Sequence, residues 1–574
     1  MTEASEDHDI VIIGGGLAGM SAGVRALELG LSALVLEKGE EEIYPCNTRQ
    51  SGGVMHIGFL DPYRPAEDLT EVIVERTANE ADRALAATLV GSGGRLLDWL
   101  KDNGTRFVKF NEQEGYRWCM APPRSLRAGI DWQGRGPDVV LQGLVAQFKD
   151  LGGTFRQGAR ATALIMEGGA CKGVIASVGS SQERFSAGHV LIADGGFQAN
   201  PELYEANIGG DFQRVFQRGA RTGMGDGMSM AVAAGAALTE TNRFYGHVLC
   251  RDALHNDNVW PYPEIDAMAT SGIVVDASGR RIADEGRSGV YLANALAAMP
   301  ADAMLYAIFD AAIWEEPGRS ARIPCNPLLE EAGGTVLRAD SLGELAAIAG
   351  IDAAALKASV QAHNAAIAAG TLDQLEIPRS TTMRAWPITE APFMAIPICP
   401  GITYTMGGIS IDGRARVLDP EGKPMPGLLA AGAATGGLEG GLDAGYIGGL
   451  MKAGVFGLVA TETAAEERRA DNGIKPATQV PPVSSSVAPK SAPVVAARTD
   501  RLAAYPMLRG VVRYGKAGGI AISIAVAALV LWLLWPGLEN WAIPIAAAAG
   551  LLAGVVALSF VELVRLITDL LLPG

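Results

Sequence analysis

Three glycines and one acid set the first chemistry. Gly14, Gly16 and Gly19 follow directly on the apolar run Ile10-Val-Ile-Ile13, and Glu37 stands 18 residues beyond Gly19. In that order the residues suit a dinucleotide. The first glycine allows a tight turn, the second lets the backbone approach a pyrophosphate, and the third lets helix and strand pack closely. An acid closing the next strand accepts both hydrogen bonds of a ribose diol. Asn47-Thr48-Arg49-Gln50-Ser51-Gly52-Gly53 continues the stretch, and Thr222-Gly-Met-Gly-Asp226-Gly227 is a second place where backbone amides could meet an anion. The Trp/Arg/Pro-rich segment Tyr116 to Arg127 suits either a ligand-contacting loop or a solvated one.

These residues need strands and helices to hold them. The spacing predicts a buried strand at Ile10–Ile13, a helix from Ala18 to Leu29 and a second strand at Ser32–Leu36. Strand and helix alternate through residues 1–241, which reads as the first part of an α/β, Rossmann-like domain with a parallel sheet. Residues 242–394 are less regular and read as an inserted α+β cap. Regularity returns over 395–468, with the strand and glycine turn Gly427-Leu-Leu-Ala-Ala-Gly432 and a closing helix from Leu450 to about Glu467. Residues 469–505 are Pro/Ser/Ala-rich and read as a linker. Within 506–574, segments 517–535 and 541–561 carry no charge over 19 and 21 residues. Each matches the ~20 apolar residues of a membrane crossing. Pro536-Gly537 between them and Trp532, Trp535 and Trp541 near the ends predict a two-helix transmembrane hairpin. Arg509, Arg513 and Lys516 before it and Arg565 after it place both ends, and the catalytic body, on the cytoplasmic side of the inner (cytoplasmic) membrane.

A formal net charge of −16 argues against nucleic acid as a partner. The six cysteines and six histidines are scattered, so neither an iron–sulfur cluster nor a zinc or other metal site is written in the chain. The polar start, Met1 to His8, has no apolar signal core, which predicts a globular part folded in the cytoplasm. Only one complete dinucleotide fingerprint is visible. A single bound cofactor must then both react and be recycled, which points to FAD rather than NAD. The hairpin adds quinone or a membrane protein as the other electron carrier.

The N-terminal fingerprint, Asn47-Thr-Arg-x-Ser-Gly-Gly, Thr222-Gly-x-Gly-Asp226-Gly, Phe244-Tyr-Gly-His247, Gly279-Arg-Arg281-Ile-Ala-Asp284-Glu285, Thr405-Met-Gly-Gly408 and Gly427-Leu-Leu-Ala-Ala-Gly432 stand in one order over about residues 8–466. This order resembles the fumarate reductase/succinate dehydrogenase flavoprotein superfamily, nearest the branch of tricarballylate dehydrogenase and flavocytochrome fumarate reductases. The resemblance implies hydride transfer between flavin N5 and a carbon beside a carboxylate or ketone, with a proton moving at the neighbouring carbon. It implies that Gly14, Gly16, Ala18, Gly19, Glu37, Asn47, Thr48, Gly52, Gly53, Asp226 and Gly432 hold FAD. The chain has no histidine at the start of the Asn47 motif, where covalently flavinylated relatives carry one, so non-covalent FAD is implied. His247, matching a histidine that binds substrate carboxylate, would orient the substrate with Arg281, beside Glu285 of the same motif.

The departures carry as much information. Tyr404 stands where fumarate reductases have a histidine, Leu438 to Tyr446 replaces the stretch holding their late arginine, and Ala433 replaces a ribityl-binding glutamate. The position of their proton-donating arginine falls on Gly289, with Arg287 two residues earlier. A C4 dianion needs fixed cations to offset its desolvation, so fumarate or succinate is disfavoured. Arg287 or Tyr404 would manage the proton, and Tyr245 and Tyr446 are further donor or acid/base candidates. The sequence therefore predicts a membrane-anchored, FAD-dependent oxidoreductase of CH–CH groups taking a small organic acid or ketone. Two alternatives stay open: a 3-ketosteroid-dehydrogenase-like enzyme on an apolar ketone, and a non-catalytic FAD electron-transfer subunit.

Overall fold

The apolar run at Ile10–Ile13 is the middle of a sheet. Strand His8–Ile13 pairs in parallel with Ala33–Glu37 on one side and with Ser181–Ile192 on the other. The sheet has eight strands, and its main path runs Arg416–Leu418, Pro424–Ala430, Ser181–Ile192, His8–Ile13, Ala33–Glu37, Thr154–Gln157. A parallel strand covered on both faces has no wet side, which is why Ile10 to Ile13 and Ala33 to Leu36 are continuously apolar and buried. The antiparallel pair Ala159–Glu167 and Ala170–Val178 forms a hairpin that joins the sheet through Ser181–Ile192.

Helix Leu17–Glu28 leaves the first strand through the glycine turn, and helix Gly449–Asp471 packs on it. Gly457 permits that contact, since a β-carbon there would fall 2.4 Å from the Ala18 carbonyl oxygen. The long helix is buried from Met451 to Ala465 except at Ala453 and Val459. Its buried Glu462 is neutralised by Arg95 at 2.7 Å and Arg25 at 3.1 Å. Residues 66–102 form two helices, Ala66–Arg76 and Arg83–Asp102, the second capped by Asp82.

A second, six-stranded sheet is built on one 13-residue strand, Phe393–Thr405. Its start pairs with Leu305–Phe309 and Leu337–Ala339, and its end with Phe244–Cys250. The expected boundary between cap and flavin domain, at 394/395, therefore falls inside a strand that both regions share. The cap core gathers Ile273–Val275, Leu305–Phe309, Leu345 and Leu356 beside this strand.

The structure is a computed structural model and describes residues 8–109, 118–125, 129–260, 262–320 and 324–471. The chain divides into two units, Met1–Gln479 and Val480–Gly574. The expected transmembrane segments at 517–535 and 541–561 and nearly all of the linker lie outside the described residues. Among the described residues no helix is long and apolar enough to cross a membrane.

Candidate active site

One cavity of about 430 Å³ gathers Gly14, Gly16, Ala18, Glu37, Asn47, Thr48, Gly52, Gly53, Asp226 and Gly432 along its walls. Gly14 has φ +103°, and a β-carbon there would lie 2.6 Å from the Ala193 carbonyl oxygen. Gly19 supports rather than lines the turn, its place for a β-carbon lying only 1.9 Å from the Gly14 oxygen. At Gly16 the same atom would meet nothing nearer than Thr48 Oγ1 at 3.6 Å, so the backbone is open to a ligand. Gly16 is the N-cap of helix Leu17–Glu28 and supplies no side-chain cap, which leaves first-turn amides for an anion. Thr48 Oγ1 accepts from the Leu17 amide at 3.1 Å, and Asn47 bridges the Thr403 carbonyl and the Ala220 amide at 2.9 Å each. Glu37 accepts from the amides of Gly15 and Gly39 at 2.8 Å, which fixes its carboxylate at the cavity wall. Asp226 is held by Arg160 at 2.6 Å and Lys38 at 3.3 Å.

Asp194, at the end of strand Ser181–Ile192, also lines this cavity. Oδ2 accepts from the Gly227 amide at 2.7 Å, while the buried Oδ1 has no hydrogen-bond partner among the described residues. An orphan acceptor beside the glycine turn fits a hydroxyl-rich ligand, as FAD is. Burial pushes the Asp194 carboxyl up to about 6. A folded value above the unfolded one means that the native state binds the extra proton, so apoprotein stability falls as pH rises from about 4 to about 6. Asp194→Asn should raise apoprotein stability at pH 7 by about 3 kcal/mol and change it little at pH 4. Denaturant unfolding at both pH values checks this, and a less stable variant at pH 7 contradicts it.

The other end of the cavity is aromatic. Tyr245 and His247 are two apart on strand Phe244–Cys250 and share one face, and Tyr404 stands opposite Tyr245 across the ladder. Tyr446 stacks on Tyr245 with ring centroids 3.9 Å apart and planes at 14°. Tyr404 is 5.5 Å from Tyr245 between centroids. Its hydroxyl donates to the Glu439 carboxylate, whose two oxygens lie at 2.9 and 3.0 Å. The same buried carboxylate accepts from the amides of Ile447 and Gly448, at 3.0 and 3.2 Å, and from Lys452 Nζ at 3.4 Å. Burial, and then Glu439, hold the Tyr404 phenol well above its ordinary value, so it stays neutral. His247 Nε2 lies 3.0 Å from Tyr245 Oη, and Nδ1 lies 2.6 Å from Asp266 Oδ2 and 3.4 Å from Glu264.

His247, Glu264 and Asp266 could be mistaken for metal ligands, their donor atoms lying within 4.8 Å of one another. The 2.6 Å between Nδ1 and Oδ2 is a hydrogen-bond distance. Two ligand atoms of one tetrahedral ion at ~2.0–2.2 Å each would stand more than about 3 Å apart.

Three residues predicted for catalysis lie elsewhere. Arg281 and Glu285 do not line the cavity; they form a buried pair at 2.5 Å inside the cap. Arg379 joins Glu285 at 3.3 Å, and Arg281 also donates to the Ile377 carbonyl at 2.7 Å. This network ties strand Ile273–Asp276, through the Val274 amide, to the segment around Arg379. Arg287 is off the cavity too, paired with Asp443 at 2.9 Å and Asp284 at 3.4 Å. The partners that hold all three, at 377, 379 and 443, are remote in sequence and carry no motif. For the same reason Asp266, Glu264 and Glu439 stand in no motif that marks them. Gly289 is closed to any side chain, because its β-carbon would fall 2.0 Å from the Asp266 carboxyl. Of the Trp/Arg/Pro-rich loop, Pro123 and Arg124 do reach the cavity.

The FAD binding domain family model matches residues 9–445, and the chain belongs to that family. It is an FAD-dependent oxidoreductase acting on CH–CH groups. It is similar to the fumarate reductase (cytochrome) of Shewanella frigidimarina, 26% identical over 485 residues that cover 81% of this chain and 78% of the relative. It is also similar to 4-oxocyclohexanecarboxylate 2-dehydrogenase of Sinomonas cyclohexanicum, 25% identical over 527 residues covering 77% and 89%. In fold it is similar to 3-ketosteroid-Δ4-(5α)-dehydrogenase of Rhodococcus jostii RHA1, with TM-score 0.62, 20% identity, and 81% and 98% of the two chains covered.

Proposed function

We propose that the protein adds or removes two hydrogens across a C–C bond beside a ketone, on a small, ring-sized substrate. The observation that carries this reading is the wall at Tyr245, Tyr404 and Tyr446, where phenols meet the cavity and two of the nearby cations, Arg218 and Lys452, already have acidic partners. Arg218 is paired with Glu264 at 2.6 Å, and Lys452 with Glu439 at 3.4 Å. A dicarboxylate would bring two negative charges to a site where Arg124 can meet one, and the second would be desolvated with its nearby cations already matched. A ketone asks only for a neutral hydrogen-bond donor. FAD, held along the glycine turn, supplies the hydride acceptor or donor.

Arg124 supports a keto acid as the occupant. It lines the cavity and donates to the Gln50 carbonyl at 2.7 Å, and its buried Nε meets no acceptor among the described residues. A single carboxylate remote from the ketone would find its partner there. The relative named for 4-oxocyclohexanecarboxylate combines those two groups. Arg124→Met should raise KM for 4-oxocyclohexanecarboxylate about tenfold or more and leave KM for cyclohexanone unchanged. The uncharged segments 517–535 and 541–561 support membrane anchorage with quinone or a membrane protein as electron partner and the catalytic body in the cytoplasm. Partition into detergent, lost on truncation after residue 505, tests the anchorage. Incubation with 4-oxocyclohexanecarboxylate or succinate and an artificial electron acceptor, read by mass spectrometry, tests the chemistry. Loss of two hydrogens from the keto acid alone is expected; loss from succinate alone overturns the reading.

A further inference from the structure

Proton transfer needs a group that touches the substrate and a second group that can keep the charge. Tyr404, the sequence's candidate, has its hydroxyl committed to Glu439. Tyr245 lines the same cavity and is wired differently. Its hydroxyl meets His247 Nε2 at 3.0 Å, and His247 Nδ1 meets Asp266 at 2.6 Å. A carboxylate only accepts, so Nδ1 carries the hydrogen, Nε2 is the acceptor and the Tyr245 hydroxyl donates to it. Asp266 is fixed in turn by the Val248 amide at 2.8 Å, and it fills the space that any side chain at Gly289 would need. Glu264 stands 3.4 Å from the same nitrogen, balanced by Arg218.

We infer that Tyr245, His247 and Asp266 form a proton relay in which Tyr245 exchanges the proton with substrate carbon and His247 stores it. This deepens the proposed ketone reading and rests on it. In the oxidative direction Tyr245 Oη takes the proton from the carbon beside the ketone as its own hydroxyl proton passes to His247 Nε2. The C–H electron pair becomes the new C=C bond while hydride leaves the next carbon for the flavin. The substrate loses one proton and one hydride, bound FAD would supply the two-electron acceptor for the hydride, and the imidazolium lies against Asp266. Reduction runs the same transfers backwards. The arrangement explains how a phenol can serve as a base at all. Burial, and then Tyr446 and Glu264, hold Tyr245 well above its ordinary value, with Arg218 opposing. No standing phenolate is available, so the proton must move through Tyr245 to His247 rather than remain on it. His247 therefore does not serve as a substrate-carboxylate ligand, and Asp266 is a positioning residue.

The test has two readouts on the full-length FAD-loaded protein. In anaerobic rapid mixing with 4-oxocyclohexanecarboxylate, Tyr245→Phe and His247→Gln should each slow flavin bleaching about 10²- to 10³-fold, with ligand affinity changed only a few-fold. If the wild-type flavin bleaches and both variants match it, the relay is wrong while the ketone reading stands. If no ketone bleaches the wild type, the ketone reading fails, and the second readout still decides the wiring. Long-range proton–nitrogen NMR of histidine-labelled protein should show His247 protonated at Nδ1, with the Nε2 signal shifting in Tyr245→Phe and the single tautomer lost in Asp266→Ala. A wild-type His247 protonated at Nε2 alone overturns the relay.

Discussion

Gly19→Ala should give a colourless protein that does not retain FAD, with a stability loss at or beyond the ~3 kcal/mol upper end of ordinary overpacking. The added carbon would sit 1.9 Å from the Gly14 carbonyl oxygen and 3.1 Å from its carbon. Both obstacles are backbone, so no side chain can swing away. Helix Leu17–Glu28 would have to lift from strand His8–Ile13, and helix Gly449–Asp471, packed on it through Gly457, would follow. Gly16→Ala separates the ligand's needs from the fold's. Its added carbon meets only Thr48 Oγ1, at 3.6 Å, and points into the cavity. That variant should fold with nearly wild-type thermal stability in the apo form and bind FAD at least tenfold more weakly. Thermal unfolding of the apoprotein and fluorescence titration with FAD distinguish the two. Equal behaviour of the variants would show that the glycine turn does not divide its work in this way.

The second large effect belongs to Glu439. Glu439→Gln leaves Lys452 buried without its counter-charge and should cost about 3–5 kcal/mol. Desolvation already holds Lys452 below its ordinary value, and Glu439 is what opposes it. Removing the carboxylate drives the lysine toward the neutral amine and weakens its bond to the Thr435 carbonyl, now at 2.8 Å. The Ile447 and Gly448 amides lose a charged acceptor, so the turn that carries Tyr446 into the cavity loosens. Both stability and turnover should fall. The double variant Glu439→Gln/Lys452→Met should recover part of the stability, because it removes the orphaned charge. Denaturant unfolding of the two single variants and the double variant measures the coupling; strict additivity would contradict a buried pair.

The nucleotide end of the site was legible in the sequence because its signals are local. A turn, a helix start and a strand end within Ile10 to Gly53 each constrain their own residues, and Gly14, Glu37, Asn47 and Gly53 meet at one cavity wall. Asp226 and Gly432 were found by short glycine motifs of the same kind. The aromatic end was half legible. Tyr245, His247 and Tyr404 were placed by their motifs, but their partners were not, since Asp266 lies 19 residues from His247 and Glu439 lies 35 from Tyr404. Without those partners the motifs placed Tyr404 and His247 in the site and left their hydrogen bonds unread. Arg281, Glu285 and Arg287 were misplaced for a related reason. A charged residue in a motif can serve a buried salt-bridge network as well as a substrate, and only Arg379 and Asp443 decide which. The strand Phe393–Thr405 could not be divided between cap and flavin domain by composition, because its apolar run from Phe393 to Ile402 has no break at 394/395 and the strand serves both.

What reduces the flavin distinguishes a ketone site from a dicarboxylate site. Detergent-solubilised protein loaded with FAD should be mixed anaerobically with 4-oxocyclohexanecarboxylate and, separately, with succinate, while the flavin absorbance is followed. Rapid bleaching by the keto acid and none by succinate is the predicted result. Bleaching by succinate with none by the ketone would contradict a site built on neutral phenols.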